Sequence, residues 1–301
     1  MLSVTVRSCL EAFKGVPYQC EIVIVDNSDE DIYKFVKGAI PSGYFRDKSV
    51  KCYRQDEPCL FTARDMAAFK ATGEYLVCLD SHMLVGYNMF NDLIDFMDKT
   101  KDKPVGFAHA PISWAHQHEN HAKHDRDVIS CELGDWNTKY DHERKITFKG
   151  MPWICNREWY LNTLEGYGAL AEHKLSWGGG DFYIGIKSWL LGYPNYSVNT
   201  SPGIHIGPFP KIKGKHPDTY RLYSKSGTYH AYLGFLVALY AIGGDEAIDR
   251  NSNIIKNRFK YNVETNRATA KKLAESDKRR IAKDCVITFQ ELLDHKPWEM
   301  A

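Results

Sequence analysis

The chain has 301 residues, with 39 lysines and arginines against 38 aspartates and glutamates, for a formal charge of +1. This length allows one large domain or two small ones. The near-neutral balance excludes a tail that binds polyanions by bulk charge, while leaving room for a local basic patch. Hydrophobic residues at 44% and aromatics at 13% supply a packed core and exclude a disordered chain.

The first predicted element is a helix over Val4 to Phe13, with apolar residues at Val6, Cys9, Leu10 and Phe13; Gly15 and Pro17 end it. No signal peptide is expected, because this stretch carries Arg7 and Glu11 and lacks an apolar h-region. The run Glu21-Ile22-Val23-Ile24-Val25 reads as a buried parallel strand. It ends at Asp26-Asn27-Ser28-Asp29, and a polar cluster just past such a strand is where open α/β sheets bind ligands. Leu60 to Thr72 is predicted as a helix stopped by Gly73, and Tyr75 to Leu79 as a strand ending at Asp80-Ser81-His82. A helix over Met89 to Met97 and a strand over Val105 to Ala108 come next, so strands and helices alternate as in a parallel or mixed α/β sheet.

From His109 to Arg144 the sequence is rich in histidine and charge with little periodicity, the pattern of a long surface excursion. Periodicity returns at Trp153 to Leu164, followed by Trp177-Gly178-Gly179-Gly180-Asp181 and a helix over Phe182 to Leu191. A short strand over Tyr196 to Thr200 leads to Gly203-Ile204-His205-Ile206-Gly207. The apolar run Tyr229 to Ile242 contains His230, is too short to span a bilayer and reads as a core helix, so no membrane span is expected. Glu264 to Lys283 reads as an exposed polar helix. The eight cysteines form no C-x-x-C pair and read as reduced thiols of a cytoplasmic protein; a secreted disulfide framework is the alternative.

Three constellations could carry chemistry. Asp80 and His82 lie two apart on an extended strand end, so their side chains point the same way. A carboxylate oxygen and an imidazole nitrogen suit a divalent cation such as manganese, with magnesium as the other candidate; the alternative is a strand-end turn capped by Asp80. Asp181 stands just before the helix from Phe182, where it could serve as an N-cap. The histidines His109, His116, His118, His121 and His124 could bind zinc, or could line a solvated, acceptor-facing loop.

Four of these motifs, in this order, resemble glycosyltransferases of the GT-A fold, over roughly residues 1–210. Ile22-Val23-Ile24-Val25-Asp26-Asn27-Ser28 resembles the family strand ending in Val-Asp-Asp-x-Ser. The stretch from Thr62-Ala63-Arg64-Asp65 through Ala71-Thr72-Gly73-Glu74-Tyr75 to Asp80-Ser81-His82 resembles the family-2 Ala-Arg-Asn helix, Ala-x-Gly-Glu-Tyr and Asp-x-Asp ending. The Asp-x-His variant resembles that of the polypeptide N-acetylgalactosaminyltransferases. Trp177 to Asp181 resembles the acceptor-side Trp-Gly-Gly-x-Asp segment.

The resemblance implies a Rossmann-like GT-A catalytic domain over residues 1–210, a mixed and mainly parallel sheet flanked by helices, with a mostly helical C-terminal extension over 211–301. It implies transfer of a sugar from a nucleotide sugar, a UDP-sugar, to a hydroxyl on a glycan, a protein or a hydroxymethylated pyrimidine of phage-type DNA. Asp26 would accept hydrogen bonds from the nucleobase or ribose, and Arg64 would approach the donor. Asp80, His82 and His205 would hold the metal. Asp181 would be the catalytic base of an inverting enzyme, or would bind donor sugar or acceptor in a retaining one. Trp177 and Trp153 would each stack on a sugar or pack in the core.

Two departures stand out. GT-A chains open with a strand, whereas this sequence opens in what resembles the following helix; the strand-like Cys285-Val286-Ile287-Thr288-Phe289 is a candidate to fill that slot. Asn27 stands where the family has a second aspartate. Two further readings compete: a non-catalytic nucleotide-sugar-binding module, and a zinc hydrolase built on the His109 to His124 run.

Overall fold

The structure is a computed structural model that describes residues 1–27, 32–46, 49–114, 144–145, 151–176, 178–206 and 225–295. In chain order the elements are α1 (Leu2–Phe13), β1 (Ile22–Asp26), α2 (Ile32–Ala39), α3 (Gly43–Arg46), β2 (Val50–Arg54), α4 (Leu60–Lys70), β3 (Tyr75–Cys78) and β4 (Met83–Leu84). Then come α5 (Met89–Lys99), β5 (Ala108–His109), β6 (Ile112–Trp114), β7 (Arg144–Lys145), β8 (Trp153–Asn156), α6 (Arg157–Trp159) with a π-helical turn (Tyr160–Leu164), and α7 (Gly168–Glu172). The last are α8 (Gly180–Leu190), β9 (Asn195–Ser197), β10 (Gly203–His205), α9 (Lys225–Phe259), α10 (Val263–Asp284) and α11 (Phe289–His295).

Among the described residues the strands form three small sheets, ordered β3-β8-β5-β9-β7, β4-β10-β6 and β1-β2. β1 and β2 run parallel, with Asp26 opposite Arg54. The predicted parallel bias is diluted, because β8 returns antiparallel between β3 and β5. Trp153, Ile154 and Cys155 are all buried, the continuous apolar run expected of a strand covered on both faces. α5 buries Met89, Phe90, Leu93, Phe96 and Met97, a helical stripe against the sheet.

The main core does not stop near residue 210. It runs from Phe61 and Trp153 through Tyr183 to Leu236, Ala270 and Leu292, so the C-terminal helices share it. Residues 229–257 of α9 are long and apolar enough to cross a membrane, yet 83% of the most apolar window is buried, in keeping with a core helix. α10 is less exposed than its composition suggests: Val263, Ala270, Ala274, Asp277 and Ile281 form a buried stripe. Small alanines at that spacing permit close packing on α9.

The expectation that residues 285–289 add a strand is wrong. Val286 donates its amide to the Leu190 carbonyl at the end of α8, 2.8 Å away, and lies outside every sheet. Thr288 and Glu291 form a reciprocal cap: the Glu291 carboxylate accepts from the Thr288 amide (2.8 Å), and the Thr288 hydroxyl accepts from the Glu291 amide (3.2 Å). The Thr-x-x-Glu pattern therefore starts helix α11 where the apolar run suggested a strand.

Candidate active site

β3 delivers Asp80 at its end, and the next residues turn into β4. β10 pairs antiparallel with β4, placing His205 opposite Met83. The Ile206 amide donates to the His82 carbonyl at 2.9 Å. This pairing brings the His82 and His205 rings to 4.3 Å between centroids, edge to face at 82°. His205 Nε2 lies 3.7 Å from Asp80 Oδ2. One ligand atom from each of Asp80, His82 and His205 lies within 4.8 Å of the others, the only such cluster among the described residues. One carboxylate oxygen with two imidazole nitrogens is a donor set that can hold a divalent cation.

The turn before β4 is held from below. Thr5 on α1, buried, donates its hydroxyl to the Ser81 carbonyl and accepts the Met83 amide, both at 3.0 Å. Gly203 lets β10 approach: a Cβ there would lie 2.7 Å from Met83 Cε and 2.8 Å from Pro152 Cδ.

Arg64 projects from α4 into this cluster and is 11% exposed. Its Nη2 is 3.2 Å from Asp80 Oδ1, while its Nη1 is 3.4 Å from Asp181 Oδ1 and donates to the Tyr167 hydroxyl at 2.9 Å. The planar fork of one guanidinium thus joins the strand-end carboxylate to the helix-start carboxylate. Asp181 does not cap α8, contrary to one of its two expected uses. The helix starts one residue earlier, at Gly180, with Gly179 as its cap in the left-handed region. Asp181 sits in the first turn, where the helix dipole favours a negative charge. The glycine run is dictated by crowding. Gly178 has φ 99°, and a Cβ there would meet the Ala231 carbonyl oxygen at 2.8 Å; one on Gly180 would meet Phe61 Cε1 at 2.3 Å.

Asp26 stands apart from this cluster, at the end of β1. It is buried and takes Arg54 Nη1 at 2.8 Å and the Ile32 amide at 3.3 Å. Asn27 donates to the Cys59 carbonyl at 3.3 Å, at the start of α4. Trp153 is a core residue, buried with its ring stacked 5.9 Å from Tyr160, which rules out its sugar-stacking role. Trp177 lies outside the described residues, as do His116, His118, His121 and His124; His109 is described and is not part of the metal cluster. The seven described cysteines are free thiols.

The sequence reading missed a set of buried polar groups behind Arg64. Asp65 accepts the Tyr160 hydroxyl at 2.7 Å and the Tyr167 amide at 3.2 Å. Lys187 Nζ lies 3.6 Å from Asp277 Oδ1, with both side chains almost fully buried. Burial pushes the Asp65 carboxyl up to about 6, against the opposing pull of Tyr160, Tyr167 and Lys187. Burial likewise lowers the Lys187 ammonium, although Asp277 and Asp65 oppose it. The Gly166-Tyr167-Gly168 spacing is a turn signal, but nothing in it names the carboxylates that flank it.

The sequence profile of the family described as Glycosyl transferase family 2 matches residues 1–156, just over half of the chain. The chain belongs to glycosyl transferase family 2. No curated protein sequence matches it. Among solved structures, the family-2 chain is similar to GalNAc-T7 with UDP, GalNAc and Mn2+, with a TM-score of 0.65 and 19% identity over 99% of this chain. It spans 54% of the GalNAc-T7 chain. It is also similar to Staphylococcus aureus TarS 1-349 in complex with UDP, with a TM-score of 0.51 and 12% identity, covering 88% of this chain and 70% of that one. These likenesses establish the GT-A fold.

Proposed function

We propose that this family-2 protein is a metal-dependent glycosyltransferase that moves a sugar from a nucleotide sugar, a UDP-sugar, to an acceptor hydroxyl. One observation carries the reading: Asp80, His82 and His205 converge within 4.8 Å, and Arg64 ties Asp80 to Asp181. GalNAc-T7 and TarS, whose structures hold UDP, support the choice of donor.

Asp80, His82 and His205 would hold Mn2+ or Mg2+. The cation, when bound, supplies positive charge that offsets the diphosphate as the leaving group gains charge. Arg64 adds a second, permanent positive charge beside that group and orients Asp80 and Asp181. Asp26 offers carboxylate oxygens to the nucleobase or ribose, in competition with Arg54. Asp181, at the mouth of α8 and 34% exposed, reaches the acceptor. It takes the proton of the acceptor hydroxyl in an inverting reaction, or holds sugar or acceptor in a retaining one. Trp177 stacks on the sugar. The acceptor class is a glycan, a protein or a hydroxymethylated pyrimidine of phage-type DNA, and the enzyme works in the cytoplasm.

The test is hydrolysis of a panel of UDP-sugars with Mn2+, with and without chelator. Turnover that stops with chelator and is lost in Asp80→Ala and His205→Ala supports the proposal. Donor binding by thermal shift without any turnover decides for a binding module instead.

A further inference from the structure

Tyr167, which receives Arg64, lies in a turn of unusual construction. Glu165, Gly166 and Gly168 all have left-handed backbones, at φ 54°, 53° and 46°. The turn is gripped from two sides by buried carboxylates from distant parts of the chain. From α4, Asp65 accepts the Tyr167 amide through both oxygens, at 3.2 and 3.3 Å. From α10, Asp277 accepts the Ala169 amide at 3.0 Å and the Tyr183 hydroxyl. Lys187 lies between them, with its Nζ 3.4 Å from the Gly166 carbonyl and 3.6 Å from Asp277 Oδ1.

Neither glycine has room for a side chain. A Cβ on Gly166 would lie 2.3 Å from Asp65 Oδ1, and one on Gly168 would lie 2.2 Å from Asp277 Oδ2. The backbone thus comes within hydrogen-bonding reach of each carboxylate because nothing protrudes from it. The Tyr167 ring is fixed as well, fully buried against Phe61 at 4.9 Å between centroids.

We propose that this clamped turn is a positioning device for Arg64, and that Asp277, on the C-terminal helix α10, is the residue that fixes it. The proposal rests on the reading of Arg64, Asp80 and Asp181 as the reacting site. Arg64 must keep one fork nitrogen on each carboxylate. A long arginine side chain has many rotamers, and a hydroxyl acceptor held rigidly by the turn selects one of them. Packing alone would not call for this arrangement, because an apolar pair in place of Lys187 and Asp277 would serve as well or better. What an apolar pair cannot do is accept the Ala169 amide and hold the turn. α10 is therefore a working part of the site and not an appendage to it.

The experiment uses the full chain and three variants. Tyr167→Phe removes one oxygen and keeps the ring. Asp277→Asn removes the charge and keeps the shape. Lys283→Ala, exposed on the same helix, is the control. Two readouts are taken: 15N NMR signals of the Arg64 guanidinium with hydrogen exchange over residues 160–176, and kcat and KM for UDP-sugar hydrolysis with Mn2+.

In Tyr167→Phe the Arg64 signals should collapse towards those of a freely rotating guanidinium. kcat should fall roughly 10- to 100-fold, the loss expected for one hydrogen bond to a charged group, with KM changed much less. Asp277→Asn should speed exchange over residues 160–176 by at least about 10-fold and loosen Arg64 in turn. Lys283→Ala should match wild type in every readout. Unchanged Arg64 signals in Tyr167→Phe overturn the proposal, as does an Asp277→Asn protein that folds with wild-type exchange and Arg64 signals. If Asp277→Asn does not fold, Tyr167→Phe alone decides. A wild-type protein that turns over no UDP-sugar refutes the proposed function, while the Arg64 signals still decide whether the turn positions Arg64.

Discussion

Replacing Asp65 with asparagine tests the buried network through its dependence on pH. In the folded protein the Asp65 carboxyl is raised from 3.8 to about 6 by burial. A raised carboxyl binds its proton more tightly when folded than when unfolded. Its contribution to stability is therefore complete below the unfolded value near 3.8 and is lost as pH rises through about 6. Raising the carboxyl from 3.8 to about 6 corresponds to about 3 kcal/mol. Asp65→Asn keeps an acceptor for the Tyr167 amide and titrates nowhere in this range.

The difference in unfolding free energy, variant minus wild type, should therefore rise by about 3 kcal/mol between pH 3 and pH 7. Urea unfolding at half-unit steps across that range measures it, and titrating groups that do not interact with Asp65 cancel in the difference. In thermal scans the same effect is a relative gain of roughly 6–12 °C for a chain of this size. A flat difference would mean that water reaches Asp65. A difference that falls with pH would mean that attraction to Lys187 outweighs burial. Either result refutes the account of the network.

Other expectations come from particular contacts. Thr5→Val strands the Met83 amide and the Ser81 carbonyl and should cost about 1–3 kcal/mol in urea unfolding. Because that turn carries His82, the variant should also bind Mn2+ more weakly when titrated by electron paramagnetic resonance. Gly178→Ala forces a side chain onto the Ala231 carbonyl at a positive φ and should destabilise by about 1–3 kcal/mol, seen as a lower urea midpoint. His205→Ala removes one of three converging ligands and should weaken Mn2+ binding by more than the roughly 10- to 100-fold typical of losing an outer-shell partner.

Much of the local organisation was legible without coordinates. The spacing of Val6, Cys9, Leu10 and Phe13 and the stripe from Met89 to Met97 predict helices where α1 and α5 lie. The run predicted over Glu21 to Val25 is β1 to within one residue at each end, Ile22–Asp26. The two-residue spacing of Asp80 and His82, with His205 added by resemblance, names the three residues that converge. Where local reading failed, a cap or a crowded glycine turn overrode composition. The Thr288 and Glu291 cap turned a strand-like run into a helix, and α8 started at Gly180, one residue before the aspartate that looked like its cap.

The sequence by itself determined the family, several of the helices and strands, and, with His205 supplied by the family resemblance, which side chains could bind a cation. Apart from that histidine, these come from short-range periodicity and from motifs with fixed spacing. Only the tertiary structure decided what stands behind them. Arg64 and Asp181 are 117 residues apart, and Ala169 and Asp277 are 108 apart. No periodicity encodes such pairs. A buried charge looks in sequence like any solvated one, and only the packing of α10 onto the rest of the core reveals which lysine and which aspartates gave up water for one another.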